Sequence, residues 1–244
     1  ASLPESTPVE REALVRGMWD NFGRTIGETL LMDAIVADPA RVVIANPELL
    51  AECGADGRGT VFVGLHFGNW EVMTVPLRRH GVLPMCVYKP LPEGAFNEWL
   101  LAHRSRFCPG GLYPASKATL LRISRHVRGG GAICVSGDHR DSSGPSVPFF
   151  GRLAPSAALP AMLATRYGAR VLAIRVDRLA DARFSVVLER VPVSDTGDDA
   201  ADLVATTCAI QKTLETWIKA DPGRWLWFYK RWGDSDGRPP RKLA

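Results

Sequence analysis

His66 and Glu71 stand five residues apart in the string His66-Phe67-Gly68-Asn69-Trp70-Glu71, directly after the apolar run Thr60-Val61-Phe62-Val63-Gly64-Leu65. A histidine at a strand end is fixed at the carboxyl edge of a sheet, where open α/β folds gather their sites. A glutamate where a helix can begin is able to return to the imidazole, accept one ring N–H and hold a single tautomer. The other ring nitrogen is then a general base that can take the proton of an alcohol attacking an acyl group. The spacing alone also suits a half-buried histidine beside a glutamate that merely favours a helix N-terminus. The rest of the chain has to decide between the two.

Further polar groups fall where a sheet would present them. Arg104 and Arg106 end a helix over Trp99–Phe107, and Asp138-His139 follows the apolar run Ala132–Ser136. The arginines suit an oxyanion or a phosphate, or simply a solvated helix end. Asp138 reads as an anchor for the site or as a turn residue. Backbone N–H groups near Phe67–Asn69, with Asn69 itself, are further oxyanion candidates. Near the C-terminus Trp225, Trp227 and Trp232 are interleaved with Arg224, Lys230 and Arg231. Alternation predicts a strand over Trp225–Tyr229 with one buried aromatic face and one basic face. Trp225, Trp227, Lys230, Arg231 and Trp232 together suit a membrane interface and anionic head groups.

The elements that would position these groups are legible. Leu14, Met18, Trp19, Phe22, Ile26, Leu30 and Ile35 recur at helical spacing, which makes residues 1–36 an amphipathic helical region of one long or two shorter helices. Strands are expected at Thr60–Leu65, Leu83–Tyr88, Ala132–Ser136, Ala169–Val176 and Phe184–Val191. Helices are expected at Val72–His80, Glu93–Arg106, Ser116–Val127, Ser156–Tyr167 and Asp198–Ala220. Cys108-Pro109-Gly110-Gly111 stops the second of these helices, and Ser116 caps the third. Strands alternating with helices indicate an α/β fold with a mainly parallel twisted sheet flanked by helices, formed as one domain over 1–244 with a flexible tail at 233–244. If those strands run parallel, the ends at His66, Tyr88 and Asp138 share one sheet edge.

At 244 residues, with 46 % hydrophobic and 23 % charged side chains, the chain has an ordinary globular composition. Its net charge of +4 is mildly basic and favours anionic partners. The basic residues are dispersed and carry no recognised nucleic-acid motif, so a nucleic-acid-binding module is the less favoured reading. Five scattered cysteines without a C-x-x-C pair suggest reduced thiols rather than a zinc site or a disulfide framework. No apolar run reaches 18 residues, and Ala1–Glu12 lacks the basic and apolar regions of a signal peptide. The start on Ala1 rather than methionine reads as a processed or truncated product.

Six motifs, in order, carry a specific resemblance. They are His66-Phe67-Gly68-Asn69-Trp70-Glu71; Tyr88-Lys89-Pro90 with Glu98-Trp99-Leu100; Arg104-Ser105-Arg106; Gly137-Asp138; Val147-Pro148-Phe149-Phe150-Gly151; and Pro222-Gly223-Arg224-Trp225-Leu226-Trp227. Over roughly residues 10 to 233 the chain resembles the bacterial lauroyl/myristoyl transferases of late lipid A biosynthesis and their relatives that acylate other glycolipids.

The resemblance implies a glycerolipid-acyltransferase-like fold. It implies transfer of a fatty acyl chain from acyl carrier protein to a hydroxyl of a lipid A precursor of the Kdo-lipid A type, at the cytoplasmic face of the bacterial inner membrane. It carries His66 over as the general base and Glu71 as its orienting partner, with Arg104 and Asp138 at positions tied to activity. The implied partners are acyl carrier protein, a glycolipid acceptor and a membrane surface. Acyl carrier protein enters as co-substrate carrier, and no metal or other cofactor is called for. Lys89, Gln211 and Tyr229-Lys230-Arg231 stand where the family pattern has Arg, Asn and His-Arg-Arg, which bears on the acceptor more than on the reaction. The family's N-terminal hydrophobic anchor is expected to be removed, or replaced by peripheral docking through the amphipathic helix and the Trp-rich surface. Another acceptor, or hydrolysis with His66 activating water, remains an alternative. The one G-x-S-x-G string, Gly233-Asp234-Ser235-Asp236-Gly237, lies in the polar tail without the strand–turn–helix setting of a serine esterase.

Overall fold

The computed structural model describes residues 3, 5–90, 94–108, 110–228 and 230–232. Tyr229, Pro109, Glu93 and the tail at 233–244, all named above, lie outside the described residues. The N-terminal region folds as α1 (Pro8–Leu30) and α2 (Met32–Ala37), the first opened by a capping box in which Thr7 and Glu10 satisfy each other's backbone N–H groups.

The strands are β1 (Val42–Ile44), β2 (Thr60–Gly64), β3 (Met85–Tyr88), β4 (Leu112–Pro114), β5 (Ala132–Ser136), β6 (Ser146–Phe149), β7 (Arg152–Pro155), β8 (Arg170–Arg178) and β9 (Phe184–Arg190). The remaining helices are α3 (Gly94–Ser105), α4 (Lys117–Arg128), α5 (Leu159–Tyr167) and α6 (Asp199–Ala220). Ser116 caps α4 and Asp198 caps α6, each side chain accepting a first-turn N–H.

Seven strands form one sheet in the order β1-β9-β8-β2-β5-β3-β4, in which β8–β9 is the antiparallel pair and the other neighbours are parallel. Every residue of β2 is buried, as expected of a central parallel strand covered on both faces. Val61 and Val63 face a core shared with Ile133, Ala173, Leu163, Leu214 and Trp217, while Phe62 faces Met32, Ile35, Val72, Leu172 and Val186. The expected mainly parallel α/β sheet is therefore the observed one.

Two expected elements do not form. Val72–His80 is not an α-helix but contains short 3-10 turns at Trp70–Val72 and Leu77–His80. Pro76 interrupts the hydrogen-bond ladder there, and Val72, Thr74 and Val75 are β-branched. Of the strand expected over Trp225–Tyr229, the described residues Trp225–Phe228 form none: Trp225 makes an isolated antiparallel bridge to Phe67 and the chain then turns. The hairpin β6–β7 was not expected. Its loop is Phe150-Gly151, both at positive φ (52° and 70°), the geometry a tight hairpin needs. No helix among the described residues is long and apolar enough to cross a membrane.

Candidate active site

Strand register brings the central pair together. Gly64 of β2 lies opposite Ser136 of β5, and His66 and Asp138 each follow two residues later. Adjacent strands lie roughly 4.8 Å apart, so two side chains leaving them at the same offset can touch. They do: the ring Nδ1 of His66 lies 3.0 Å and 3.2 Å from the Asp138 oxygens. The backbone N–H of His66 donates to Asp138 Oδ2 at 2.8 Å, and the indole N–H of Trp225 donates to the same oxygen at 2.8 Å. Asp138 is fully buried, and the His66 side chain is 19 % exposed.

The sequence assigned the orienting role on the imidazole to Glu71. In the structure Asp138 holds the Nδ1, because parallel register delivers it there, whereas Glu71 is drawn to other partners. Its carboxylate takes both arms of the Arg104 guanidinium, with Nε at 2.8 Å, and accepts the Trp70 indole N–H at 2.9 Å. Glu71 remains near enough to act on His66 through its charge. Arg104 is the more open member of its pair, 31 % exposed against 9 % for Glu71.

The electrostatics of the pair follow from burial and contact. Burial pulls the His66 imidazole down, but the charge of Asp138 and its hydrogen bond outweigh it, so the group stands above its ordinary 6.5. Burial likewise pushes Asp138 up, and the imidazole, the His66 N–H and the Trp225 indole together hold it well below the usual carboxylate range. His139 is pulled down by burial.

Other expected site residues are placed differently. Asn69 is fully buried; its amide donates to Glu28 at 2.7 Å and its side-chain oxygen accepts the Glu71 N–H at 3.1 Å, so it braces the loop. The Phe67 N–H turns to Leu65 and the Gly68 N–H to Arg224, which spends two of the expected oxyanion donors. Arg106 forms a two-pronged pair with Asp33, at 2.6 Å and 2.9 Å, rather than joining the His66 cluster.

The Trp-rich stretch needs the largest correction as a head-group surface. Trp225 is 1 % exposed and Arg231 is completely buried, donating to Pro155, Ser156 and Gln211. Trp227 and Trp232 are half-buried and donate to the Pro222 and Phe149 carbonyls; Lys230 is exposed. This stretch is mainly inner packing: the Trp225 indole reaches Asp138, and the other indole and guanidinium N–H groups satisfy carbonyls and side chains within the fold. An exposed apolar face lies on α1, where Val15, Trp19, Ile26 and Leu30 line up. From it an aromatic path runs inward: Trp19 to Phe22 at 5.9 Å, Phe22 to Trp70 at 6.4 Å, and Trp70 to His66 at 5.3 Å between centroids.

Sequence reasoning missed the polar face of α1. Asn21, Thr25 and Glu28, at i, i+4 and i+7, reach the loop after β2, where they meet Arg178 from the end of β8. Their shared helical face was a signal, hidden because only the apolar stripe was followed.

A search of curated proteins finds no match. A family model described as bacterial lipid A biosynthesis acyltransferase matches residues 1–234, nearly the whole chain. With that coverage, the chain belongs to the bacterial lipid A biosynthesis acyltransferase family and is an acyltransferase.

Proposed function

We propose that the protein transfers a fatty acyl group from acyl carrier protein to a hydroxyl of a lipid A precursor, with His66 as general base and Asp138 holding it. The observation that carries this reading is the Asp138 carboxylate on His66 Nδ1 at the carboxyl edge of a parallel sheet. With Nδ1 engaged, Nε2 is the basic nitrogen of that tautomer. It takes the acceptor's O–H proton as the oxygen attacks the thioester carbon. The tetrahedral intermediate then expels the thiolate, which receives the same proton from the imidazolium. An ester forms, a thioester breaks, and the enzyme returns to its starting state.

Arg104, oriented in two-pronged fashion by Glu71, supplies positive charge for the developing oxyanion or for a phosphate of donor or acceptor. Apolar surface on α1, continuous with the aromatic path to His66, supports a peripheral position on the cytoplasmic face of the inner membrane, with the acyl chain approaching from that side.

The test incubates the purified protein with detergent-dispersed tetra-acyl lipid A precursor and a panel of acyl–acyl carrier proteins, beside His66→Ala, with products read by mass spectrometry. A gain of one acyl chain that disappears in the mutant supports the reading. Free fatty acid without acylated lipid makes the protein a hydrolase under these conditions. No turnover on this precursor, with transfer to another glycolipid, corrects the acceptor.

A further inference from the structure

The carbonyl of Gly68, two residues beyond His66, collects donors from three directions. The Asn21 amide reaches it at 3.0 Å, the Thr25 hydroxyl at 3.0 Å and the Arg178 guanidinium at 3.4 Å. Arg178 is itself tied to Asn21 Oδ1, to Thr25 Oγ1 and, by an ion pair, to Glu28. Its side chain is 10 % exposed and that of Glu28 13 %. Glu28 also accepts the Asn69 amide, whose oxygen in turn takes the Glu71 N–H. Arg224 donates to the Arg178 carbonyl at 3.1 Å, while its own carbonyl accepts the Gly68 N–H at 3.1 Å.

A nearly buried ion pair is weak evidence for stability, since desolvation offsets much of the attraction. This one has a second feature: each member is wired to a different part of the loop. Arg178 fixes the Gly68 carbonyl, and through the planar peptide the orientation of the Gly68–Asn69 unit. Glu28 fixes Asn69, and through it the start of the turn bearing Glu71. The pair therefore sits behind both charged groupings of the site, His66–Asp138 and Glu71–Arg104, and touches neither directly.

We propose that Arg178 and Glu28 are positioning residues, a buried ion pair that sets the His66–Glu71 loop so that base and arginine face one reacting centre. The proposal rests on the acyl-transfer reading for its kinetic consequence, but the position of His66 can be observed without turnover. Misplacement of a catalytic group by about 1 Å costs on the order of 100-fold in rate. Substrate binding need not suffer, because neither residue belongs to the exposed part of the site.

The experiment compares wild type with Glu28→Gln, Arg178→Lys and Thr25→Val; the second replaces the guanidinium fork by a single ammonium, and the third removes the hydroxyl donor to Gly68. Thermal unfolding, kcat and KM are measured, together with the NMR titration of the His66 ring. Expected are folded variants with kcat down roughly 10- to 100-fold for the first two and less for Thr25→Val. KM stays within about twofold, and the His66 ring signals move in each. Should Arg178→Lys fail to fold, Glu28→Gln and Thr25→Val carry the test. Folded variants with wild-type kcat and an unmoved His66 titration overturn the proposal, even if their melting temperatures fall. If wild type itself transfers no acyl group, the acyl-transfer reading fails, and the His66 signals alone decide whether the pair positions the loop.

Discussion

Charge on the His66–Asp138 pair is favoured by contact and opposed by burial, and contact wins on both partners. His66, raised above 6.5, contributes stability that is full below that ordinary value and is lost as pH rises through the folded one. Asp138, held below its ordinary 3.8, contributes stability that is present above that value and is lost as pH falls through the folded one. The stability difference between wild type and His66→Gln should therefore be largest between about pH 4 and 6.5 and shrink at higher pH, as measured by urea unfolding. A base must be neutral, so kcat/KM should rise with pH through the raised His66 value. In Asp138→Asn, burial acts on His66 without its counter-charge. The acidic limb should move to lower pH, while the maximal rate drops on the order of 1,000-fold or more because the tautomer is no longer held. An unmoved limb with a normal rate would remove Asp138 from the mechanism. Glu71→Gln should keep the fold and lose most of the rate by releasing Arg104; near-wild-type turnover would show that this pair is not needed.

At the scale of elements, the site is assembled by register and by one glycine. Gly68 has φ +58°, and a Cβ there would collide with the Val176 carbonyl of β8. Gly68→Ala should cost at least about 2–3 kcal/mol from backbone strain and clash combined, read by denaturant unfolding; wild-type stability would contradict the tight approach. The sequence made β2 and β5 legible, because runs such as Val61-Phe62-Val63 and Ile133-Cys134-Val135 fit buried parallel strands, and it marked His66 and Asp138 as strand-end residues. It did not show that they touch. That depends on β2 and β5 being neighbours in the sheet, although they are separated in sequence by β3, α3, β4 and α4. Local spacing favoured Glu71 for the same reason: five residues are visible in a string, and strand order is not. The apolar spacing of Val72–His80 suits a helix, but Pro76 and the β-branched residues before it tip the segment into turns.

On the scale of the whole molecule, α1 has two roles on two faces. Asn21, Thr25 and Glu28 bind the loop that follows His66, whereas Trp19, Ile26 and Leu30 are 53 %, 43 % and 63 % exposed. Trp19 stacks on the exposed Phe228 at 5.9 Å, extending the apolar surface to the C-terminal segment. Replacing Trp19 and Phe228 by serine should weaken sedimentation with lipid vesicles severalfold, since each aromatic buries a large apolar area at an interface. Activity on a short, detergent-free soluble acceptor should be spared. Equal vesicle binding by the double variant would place membrane contact elsewhere.

The C-terminal segment has a temporal consequence. Arg224 accepts the Gly68 N–H, the Leu226 N–H donates to the His66 carbonyl, and the Trp225 indole completes the shell of Asp138. All three ties reach back about 160 residues or 90 residues along the chain, to parts synthesised long before them. A nascent chain halted before Trp225 would own its base and its carboxylate yet lack the donors that lock them. The buried shell of the His66–Asp138 pair therefore closes only once the chain through Leu226 has been made.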